Sequence, residues 1–210
     1  MFKNHKRTLI LTTLVILLPL AAGLLLWTRL PNQIPIHWNS AGEVDGWAGK
    51  AFSVLGLPLF LTALHWLCIF GVHADPKRQN IDGKPLMLVL WIVPAVSLMG
   101  GFLMYGTALG YELNAGCLTL LLVGLLFVIL GNWMPKCRPS YTVGYRVPWT
   151  LANDENWTRT HRLAGKLFIL GGLILLVSAF LGGWSAALIF ALVLTAIPAV
   201  YSYLLYRRGL

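Results

Sequence analysis

The sequence predicts an all-α integral membrane protein with six transmembrane helices. Charged residues make up 11% of the 210 residues, against about 25% in soluble domains, and apolar residues make up 58%. Several apolar runs approach or exceed the ~18–20 uncharged residues that cross the hydrocarbon core of a bilayer. We place the spans at 8–28, 51–72, 86–109, 115–133, 167–183 and 185–205. The last two are expected to form a tight hairpin that turns at Gly182-Gly183-Trp184.

The distribution of basic residues predicts the orientation. If the N-terminus is inside, fourteen of the sixteen Lys and Arg residues face the cytoplasm, and only Arg29 and Lys50 lie outside. Because basic loops resist translocation, we expect both termini in the cytoplasm. The net charge of +9 then reflects topology and anionic lipid headgroups rather than a direct nucleic-acid partner.

The spans divide the chain into three segments. Residues 1–72 hold two spans and an external loop at about 30–50, residues 73–134 hold spans three and four, and residues 135–210 hold a cytoplasmic loop and helix followed by the last two spans. No Asp, Glu, Lys or Arg lies in any of the six spans, which argues against an ion-coupled transporter. His65, in the second span, is expected to be a hydrogen-bonded packing residue.

The external loop carries a compact set of polar and aromatic side chains. Pro31 and Pro35 predict an extended or turning entry, and residues 39–42 and Asp45-Gly46 are turn signals. One interpretation is an interfacial cap with its tryptophans in the headgroup layer. The other is a binding site for an external ligand, with these candidate residues: Pro35, His37, Trp38, Asn39, Glu43, Asp45 and Trp47.

A metal site on His37, Glu43 and Asp45 is a third interpretation of the loop. One histidine and two carboxylates in a flexible loop form an unspecific ligand set. We therefore predict neither a metal ion nor another cofactor for this chain.

The cytoplasmic segment 132–166 is the most polar stretch between two spans. Its prolines and glycine predict an ordered irregular loop from 134 to 150, with Tyr141, Tyr145 and Trp149 at the interface. A helix should then begin after Thr150 or Asn153, both competent N-caps, and run into the fifth span. Asp154 and Glu155 fall in the first turn of that helix, where its dipole favours negative charge.

Helical periodicity divides this helix into two faces. Glu155, Arg159, Arg162 and Lys166 share one face, and Glu155–Arg159 has the favourable i,i+4 order. The opposite face carries Asp154, Trp157, His161 and Gly165. One interpretation is an amphipathic helix in the interface, and the other is a recognition surface with these candidates: Asn132, Tyr141, Gly144, Arg146, Pro148, Trp149, Asp154, Glu155, Trp157, His161, Arg162 and Gly165.

Both polar segments resemble a known family, the SdpI-type bacterial immunity proteins. The cytoplasmic match comprises Gly131-Asn132, Pro135-Lys136, Pro139, Tyr141, Gly144, Arg146, Pro148-Trp149-Thr150-Leu151, Trp157, Thr160-His161-Arg162 and Gly165-Lys166; the external match comprises Pro31, Ile34-Pro35, His37-Trp38-Asn39, Gly42 and Asp45-Gly46. The chain departs from the usual pattern at Ser140, where the family often has Asn, and at Val147, where Thr is common. The resemblance implies a multi-pass protein of the bacterial plasma membrane that protects its host from a secreted peptide toxin. In some members it also implies recruitment of a cytoplasmic repressor.

Two functional hypotheses follow. In the first, the protein is a binder whose external loop captures a toxin peptide and biases a two-state cytoplasmic loop, with surrounding membrane lipids as its other partners. In the second, His161, Asp154 and Arg146 form the centre of an inner-leaflet membrane enzyme or small transporter. The sequence supplies no clear nucleophile or metal-ligand set for the second hypothesis.

Overall fold

The computed structural model of the protein describes residues 2–39, 41–181 and 184–210. In these ranges it contains seven α-helices and two β-strands. The helices are α1 (Phe2–Leu25), α2 (Leu57–Ala74), α3 (Lys84–Ala108), α4 (Ala115–Trp133), α5 (Pro148–Ala152), α6 (Asp154–Leu181) and α7 (Trp184–Arg207). The strands β1 (Gln33–Trp38) and β2 (Val44–Gly49) follow α1.

Six of the helices are long and apolar enough to cross a membrane, as the sequence predicts. A short π-helical stretch, Phe52–Gly56, leads into α2 and lengthens the second span to Phe52–Ala74. The expected helix after Asn153 and the fifth span form one continuous helix, α6. The predicted turn between the last two spans falls on Gly182 and Gly183, which lie outside the described residues.

The chain divides into two compact units. The first comprises Met1–Ile69 and Val89–Leu122, and the second comprises Phe70–Leu88 and Val123–Leu210. The predicted external loop therefore belongs to the first unit, and the 132–166 segment belongs to the second.

The loop at 30–50 is a β-hairpin rather than a series of turns. The strands pair antiparallel, with Pro35 opposite Trp47 and His37 opposite Gly46, and the register shifts on either side of His37. The turn predicted at Asp45-Gly46 is wrong, because both residues lie inside β2. A Cβ on Gly46 would lie 2.8 Å from the Cβ of His37, so the Asp-Gly pair allows close cross-strand approach at an irregular register.

The turn predicted at residues 39–42 is confirmed for its described residues, Asn39, Ala41 and Gly42. The side-chain Oδ1 of Asn39 accepts hydrogen bonds from the backbone N–H groups of Ala41 (2.8 Å) and Glu43 (3.1 Å). Gly42 has φ +81°, a left-handed conformation that glycine adopts without steric cost. Asn39 therefore shapes the end of the β-hairpin.

An apolar cluster in the first unit supports the β-hairpin. Its fully packed members are Leu30, Ile34, Val54, Met104 and Tyr105. Ile34 of β1 is 0% exposed, and full burial of such a side chain contributes about 1.5–3 kcal/mol. The β-hairpin is thus fastened to the ends of the membrane helices in its own unit.

Buried polar contacts join the helices of the first unit. The Ser97 hydroxyl donates to the carbonyl oxygen of Ile16 at 2.9 Å, and Nε2 of buried His65 lies 3.1 Å from Oγ1 of Thr12. The expectation that His65 is a packing residue is confirmed.

Glycines allow α4 and α6 to pack closely in the second unit. A Cβ on Gly165 would lie 2.8 Å from the carbonyl oxygen of Gly131, and one on Gly172 would lie 2.7 Å from that of Gly124. Small residues at both levels let the two backbones meet. This contact brings the start of α6 beside the end of α4, where the polar segment begins.

Candidate functional site

The β-hairpin exposes one polar pair. Nδ1 of His37 lies 2.5 Å from Oδ1 of Asp45, across the two strands. The side chains are 70% and 43% exposed, respectively, and Trp47 of β2 is 56% exposed. These three side chains form an open surface, and an exposed pair of this kind adds only about 0–1 kcal/mol to stability.

The other predicted residues of this loop have structural roles. Pro35 is buried in β1, and Trp38 packs against the apolar cluster. Asn39 holds the turn, and its Nδ2 donates to Oε2 of Glu43 at 3.2 Å. Within the described parts of the chain, no group of three or more His, Cys, Asp or Glu residues is placed to hold a metal ion.

An apolar recess lies beside the cluster that supports the β-hairpin. Its volume is about 410 Å³, and Tyr105 belongs to both the recess and the cluster. The lining comes from α1, from α3 and from the segment after α3: Leu18, Pro19, Ala22, Leu98, Gly101, Phe102, Tyr105, Gly106, Tyr111 and Leu113. The first unit therefore combines an exposed His–Asp–Trp surface with a recess that suits an apolar group.

In the second unit, Asp75 anchors the loop that follows α4. This carboxylate is only 3% exposed and lies at the end of α2. Its Oδ2 accepts hydrogen bonds from the N–H of Tyr141 (2.8 Å) and the hydroxyl of Thr142 (2.7 Å), and its Oδ1 accepts one from the N–H of Lys77 (2.7 Å). One buried carboxylate thus links the segment between α2 and α3 to the segment between α4 and α5.

His161 fixes the same loop from the other side. The imidazole is 1% exposed; Nδ1 lies 2.8 Å from the carbonyl oxygen of Trp157, and Nε2 accepts a hydrogen bond from the N–H of Tyr145 at 3.0 Å. A carbonyl can only accept and an N–H can only donate, so the ring is neutral with its proton on Nδ1. Trp157 stacks on the imidazole, and its indole N–H donates to the carbonyl oxygen of Cys137 at 2.8 Å.

Gly144 lies where this arrangement leaves no space for a side chain. Its φ is +106°, and a Cβ would lie 2.5 Å from Nε2 of His161 and 3.1 Å from the Trp157 ring. The loop can therefore reach the imidazole only with glycine at this position.

Two aromatic side chains of the loop turn inward rather than lying only at the membrane interface. The Tyr145 hydroxyl donates to the carbonyl oxygen of Thr195 in α7 at 2.7 Å, and burial raises the pKa of this phenol to about 12. Trp149 lies in α5 against the rings of Tyr203 and Tyr206. The expected irregular loop is thus wrong at both ends, because Met134–Lys136 forms a turn of 3-10 helix and Pro148 starts the short helix α5.

The start of α6 follows the prediction for Asn153. Its Oδ1 accepts hydrogen bonds from the N–H groups of Glu155 (2.8 Å) and Asn156 (3.0 Å), which is the N-cap arrangement. Thr150 does not cap α6. Its hydroxyl donates to the carbonyl oxygen of Tyr145 at 2.7 Å and accepts from the N–H of Val147, and so closes the loop onto α5.

The two predicted faces of α6 are mostly confirmed. Glu155 forms an ion pair with Arg159, and this face is exposed together with Arg162 and Lys166. On the other face Trp157, His161 and Gly165 are buried, but Asp154 is exposed. Asp154 lies at the first turn and lines a shallow polar cleft instead: Pro76, Lys77, Gln79, Asn80, Pro139 and Asp154.

The remaining candidates lie at the rim of the segment. Asn132 is exposed near the end of α4. Exposed Arg146 donates from Nη1 to the carbonyl oxygen of Tyr141 at 3.1 Å, and the Tyr141 ring, 48% exposed, lies 5.5 Å from Nζ of Lys77. Arg146 and Asp154 are therefore surface residues, whereas His161 lies in the interior.

Comparison with known proteins covers both polar segments. Residues 136–202 match the SdpI/YfhL protein family, and residues 14–62 match a domain of unknown function, DUF1648. The chain is 26% identical over 207 residues to "Immunity protein SdpI" of Bacillus subtilis (strain 168), which covers 95% of this chain and 96% of that protein. The chain is therefore similar to SdpI-type proteins along most of its length. It is a multi-pass protein of the bacterial plasma membrane, and no solved structure matches it.

The matched ranges coincide with the two sites. The 14–62 match spans the β-hairpin, and the 136–202 match spans the loop from Lys136 to α7. Asp75, which anchors that loop, lies outside both ranges.

Sequence reasoning missed two structural centres of this protein. Asp75 was not among the predicted site residues, although a carboxylate at the C-terminal end of a helix opposes the helix dipole and so indicates a specific partner. Asn156 is 0% exposed and donates from Nδ2 to the carbonyl oxygens of Ser202 (3.0 Å) and Leu210 (3.1 Å), while its Oδ1 accepts from the Ser202 hydroxyl. Its spacing of four from Thr160, which is also buried, puts the two side chains on one buried face of α6.

Proposed function

We propose that the protein is an immunity protein that protects its host from a secreted, membrane-active peptide by binding that peptide at the β-hairpin. The contrast between the two polar segments carries this proposal. Most of the distinctive side chains in the 132–166 segment are engaged with the protein's own backbone or rings. In the β-hairpin, His37, Asp45 and Trp47 are exposed, and the His37–Asp45 pair makes little contribution to folding.

The chemistry of the β-hairpin suits an amphipathic peptide. The His37–Asp45 pair can exchange its internal contact for hydrogen bonds to a peptide backbone or a polar side chain, and Trp47 offers an apolar face. The recess beside Tyr105 has room for an apolar side chain, since about 410 Å³ is within the range of ligand pockets. We propose that these features act together on one ligand.

The orientation of this surface follows from the positive-inside rule. With fourteen of the sixteen basic residues inside, the β-hairpin faces the cell exterior, where a secreted peptide arrives. The 132–166 segment then faces the cytoplasm. An Ala41→Cys chain without its native cysteines should react with an impermeant maleimide on intact cells, whereas a Tyr141→Cys chain should react only after lysis.

Signalling to a cytoplasmic partner such as a repressor is the finer part of the proposal. The surface that such a partner would meet includes the half-exposed Tyr141 ring, Arg146 and Asp154. Peptide binding outside can change affinity for that partner only if the two states of the loop bind the peptide differently. The Asp75 and His161 contacts define one such state, in which the loop is closed.

The geometry favours binding over the enzyme or transporter alternative. A general acid or base needs a nitrogen that can exchange a proton with substrate, and both ring nitrogens of His161 are engaged with backbone groups. Asp154 is exposed at the first turn of α6, and Arg146 contacts Tyr141. These three side chains therefore lie in three different local environments rather than in one reactive centre.

Rescue of a sensitive strain tests the proposed function. The chain would be expressed in B. subtilis strain 168 from which the gene of its own SdpI protein has been deleted, and the cells exposed to culture supernatant of the parent strain. We expect survival to rise toward that given by the B. subtilis protein itself. Equal membrane expression without any rescue, while the B. subtilis protein rescues, would contradict the proposal.

A further inference from the structure

A basic cleft lies on the exposed side of α6 and α7, away from the His161 contacts. It has a volume of about 300 Å³ and is lined by Arg159, Arg162, Leu163, Lys166 and Tyr201. Arg159 already pairs with Glu155. Across the described residues, neither Arg162 nor Lys166 forms an ion pair, so the cleft presents two uncompensated cations.

An apolar groove continues from this cleft along α7. It has a volume of about 390 Å³ and shares Leu163 and Tyr201 with the cleft. The remaining lining residues are Val193, Ala196, Ile197, Val200 and Leu204. A cationic cleft therefore adjoins an apolar groove of similar volume.

Helix length places the cleft at the edge of the bilayer. A helix rises about 1.5 Å per residue, so Arg162 lies about 28 Å along α6 from Leu181 and Lys166 about 22 Å from it. The hydrocarbon core is about 30 Å thick. Arg162 thus reaches the headgroup boundary, and Lys166 lies about one turn deeper, from which its long side chain can extend to the phosphates.

We propose that this cleft and groove form a binding site for an anionic phospholipid of the surrounding bilayer. The lipid phosphate would contact Arg162 and Lys166, and one acyl chain would lie along the groove between Leu163 and Val200. Charge complementarity selects an anionic headgroup, and the adjoining apolar channel selects a lipid over a free anion. The site is separate from the β-hairpin, so the proposal does not depend on the immunity function.

Lipid titration of the purified full-length protein tests this site. Binding of dioleoylphosphatidylglycerol and dioleoylphosphatidylcholine would be followed by native mass spectrometry in detergent. A cation near an anionic surface changes affinity about fivefold, so Arg162→Gln/Lys166→Gln should weaken phosphatidylglycerol binding about 25-fold. Arg207→Gln/Arg208→Gln removes the same charge from the exposed end of α7 and should change binding less than threefold.

Two further arms separate the headgroup from the acyl chain. Ala196→Phe fills the groove without changing charge and should weaken phosphatidylglycerol binding, whereas Ala186→Phe, exposed on the same helix outside the groove, should not. Inorganic phosphate at millimolar concentration should not displace the lipid. The charge-preserving variant Arg162→Lys/Lys166→Arg should bind within about threefold of the parent. This result would show that the Gln variant loses binding through loss of charge rather than through misfolding.

Three results would overturn the proposal. The first is an equal loss of binding in the Arg162/Lys166 and Arg207/Arg208 variants, which would indicate general surface charge. The second is displacement of the lipid by phosphate alone, and the third is equal binding of phosphatidylcholine and phosphatidylglycerol by the parent protein.

Discussion

Gly144→Ala is the sharpest test of how the 132–166 segment is closed. The substitution adds one methyl group at φ +106°, where its carbon would lie 2.5 Å from Nε2 of His161. The imidazole cannot move away without losing the hydrogen bond from the N–H of Tyr145. A single added methyl group therefore conflicts with both the positive φ of residue 144 and the hydrogen bond between Tyr145 and His161.

The expected cost combines two effects. A left-handed conformation costs a residue other than glycine about 1–2 kcal/mol. A buried N–H that loses its acceptor costs about 1–3 kcal/mol. Together they should lower the free energy of loop opening by about 2–5 kcal/mol, and hydrogen exchange of the Tyr145 amide should accelerate accordingly.

Gly83→Ala provides a matched control. Gly83 also has a positive φ, +88°, but a Cβ there would meet nothing within 4 Å. It should show the conformational cost alone, so exchange of the 140–147 peptide should be at least fivefold faster in the Gly144 variant, since 1 kcal/mol is about a fivefold change in an equilibrium. Equal exchange in the two variants, measured by mass spectrometry in detergent, would refute the assigned role of the Gly144–His161 contact.

Substitutions at three other residues probe the second unit. Asp75→Ala removes the acceptor of two donors in the loop and should lower thermal stability by the equivalent of about 2–4 kcal/mol, with Asp75→Asn intermediate; equal stabilities for all three proteins would contradict the anchoring role. Asn156→Ala should speed exchange at the C-terminus by severing its contact with Leu210, and unchanged exchange there would contradict that contact. Burial raises the pKa of Tyr145 to about 12 in the folded protein. The contribution of its neutral phenol to the free energy of unfolding is therefore intact below pH 10 and is lost as the pH rises toward about 12. Tyr145→Phe should therefore make the alkaline loss of stability shallower, and an unchanged pH profile would argue against a buried phenol.

Composition was sufficient to predict the membrane helices. A bilayer requires about 20 apolar residues per span, so the six runs were visible without knowledge of any partner. The β-hairpin was not predicted because its strands are six residues each and contain Pro35 and Gly46, which weaken a strand signal. Packing on Ile34 and its neighbours stabilises these strands, and that packing involves residues as distant as Tyr105.

Periodicity predicted the site only within one helix. The spacing of Trp157, His161 and Gly165 identified the buried face of α6, because a helix fixes the relative directions of such residues. It could not identify the partners of that face. The N–H that occupies His161 comes from Tyr145, sixteen residues earlier, and the carboxylate that anchors Tyr141 comes from Asp75, sixty-six residues earlier.

The hypothesis of a reactive centre combined His161 with two exposed residues, Asp154 and Arg146. Both residues lie close in sequence to His161, but a helix N-terminus and a loop rim place their side chains at the surface. Reactive groups must lie close together in space. The group of the loop that contacts the His161 imidazole is the backbone N–H of Tyr145 rather than a charged side chain.

Protection by β-hairpin variants tests the central claim most directly. In the rescued B. subtilis strain, His37→Ala/Asp45→Ala should abolish survival in toxin-containing supernatant, because it removes the proposed contacts with the peptide. An exposed pair contributes little to folding, so the loss would not reflect misfolding. Arg29→Ala/Glu112→Ala removes one cation and one anion from exposed positions of the same unit and should leave survival unchanged. Full survival of the His37/Asp45 variant at equal membrane expression would contradict capture of the peptide at the β-hairpin.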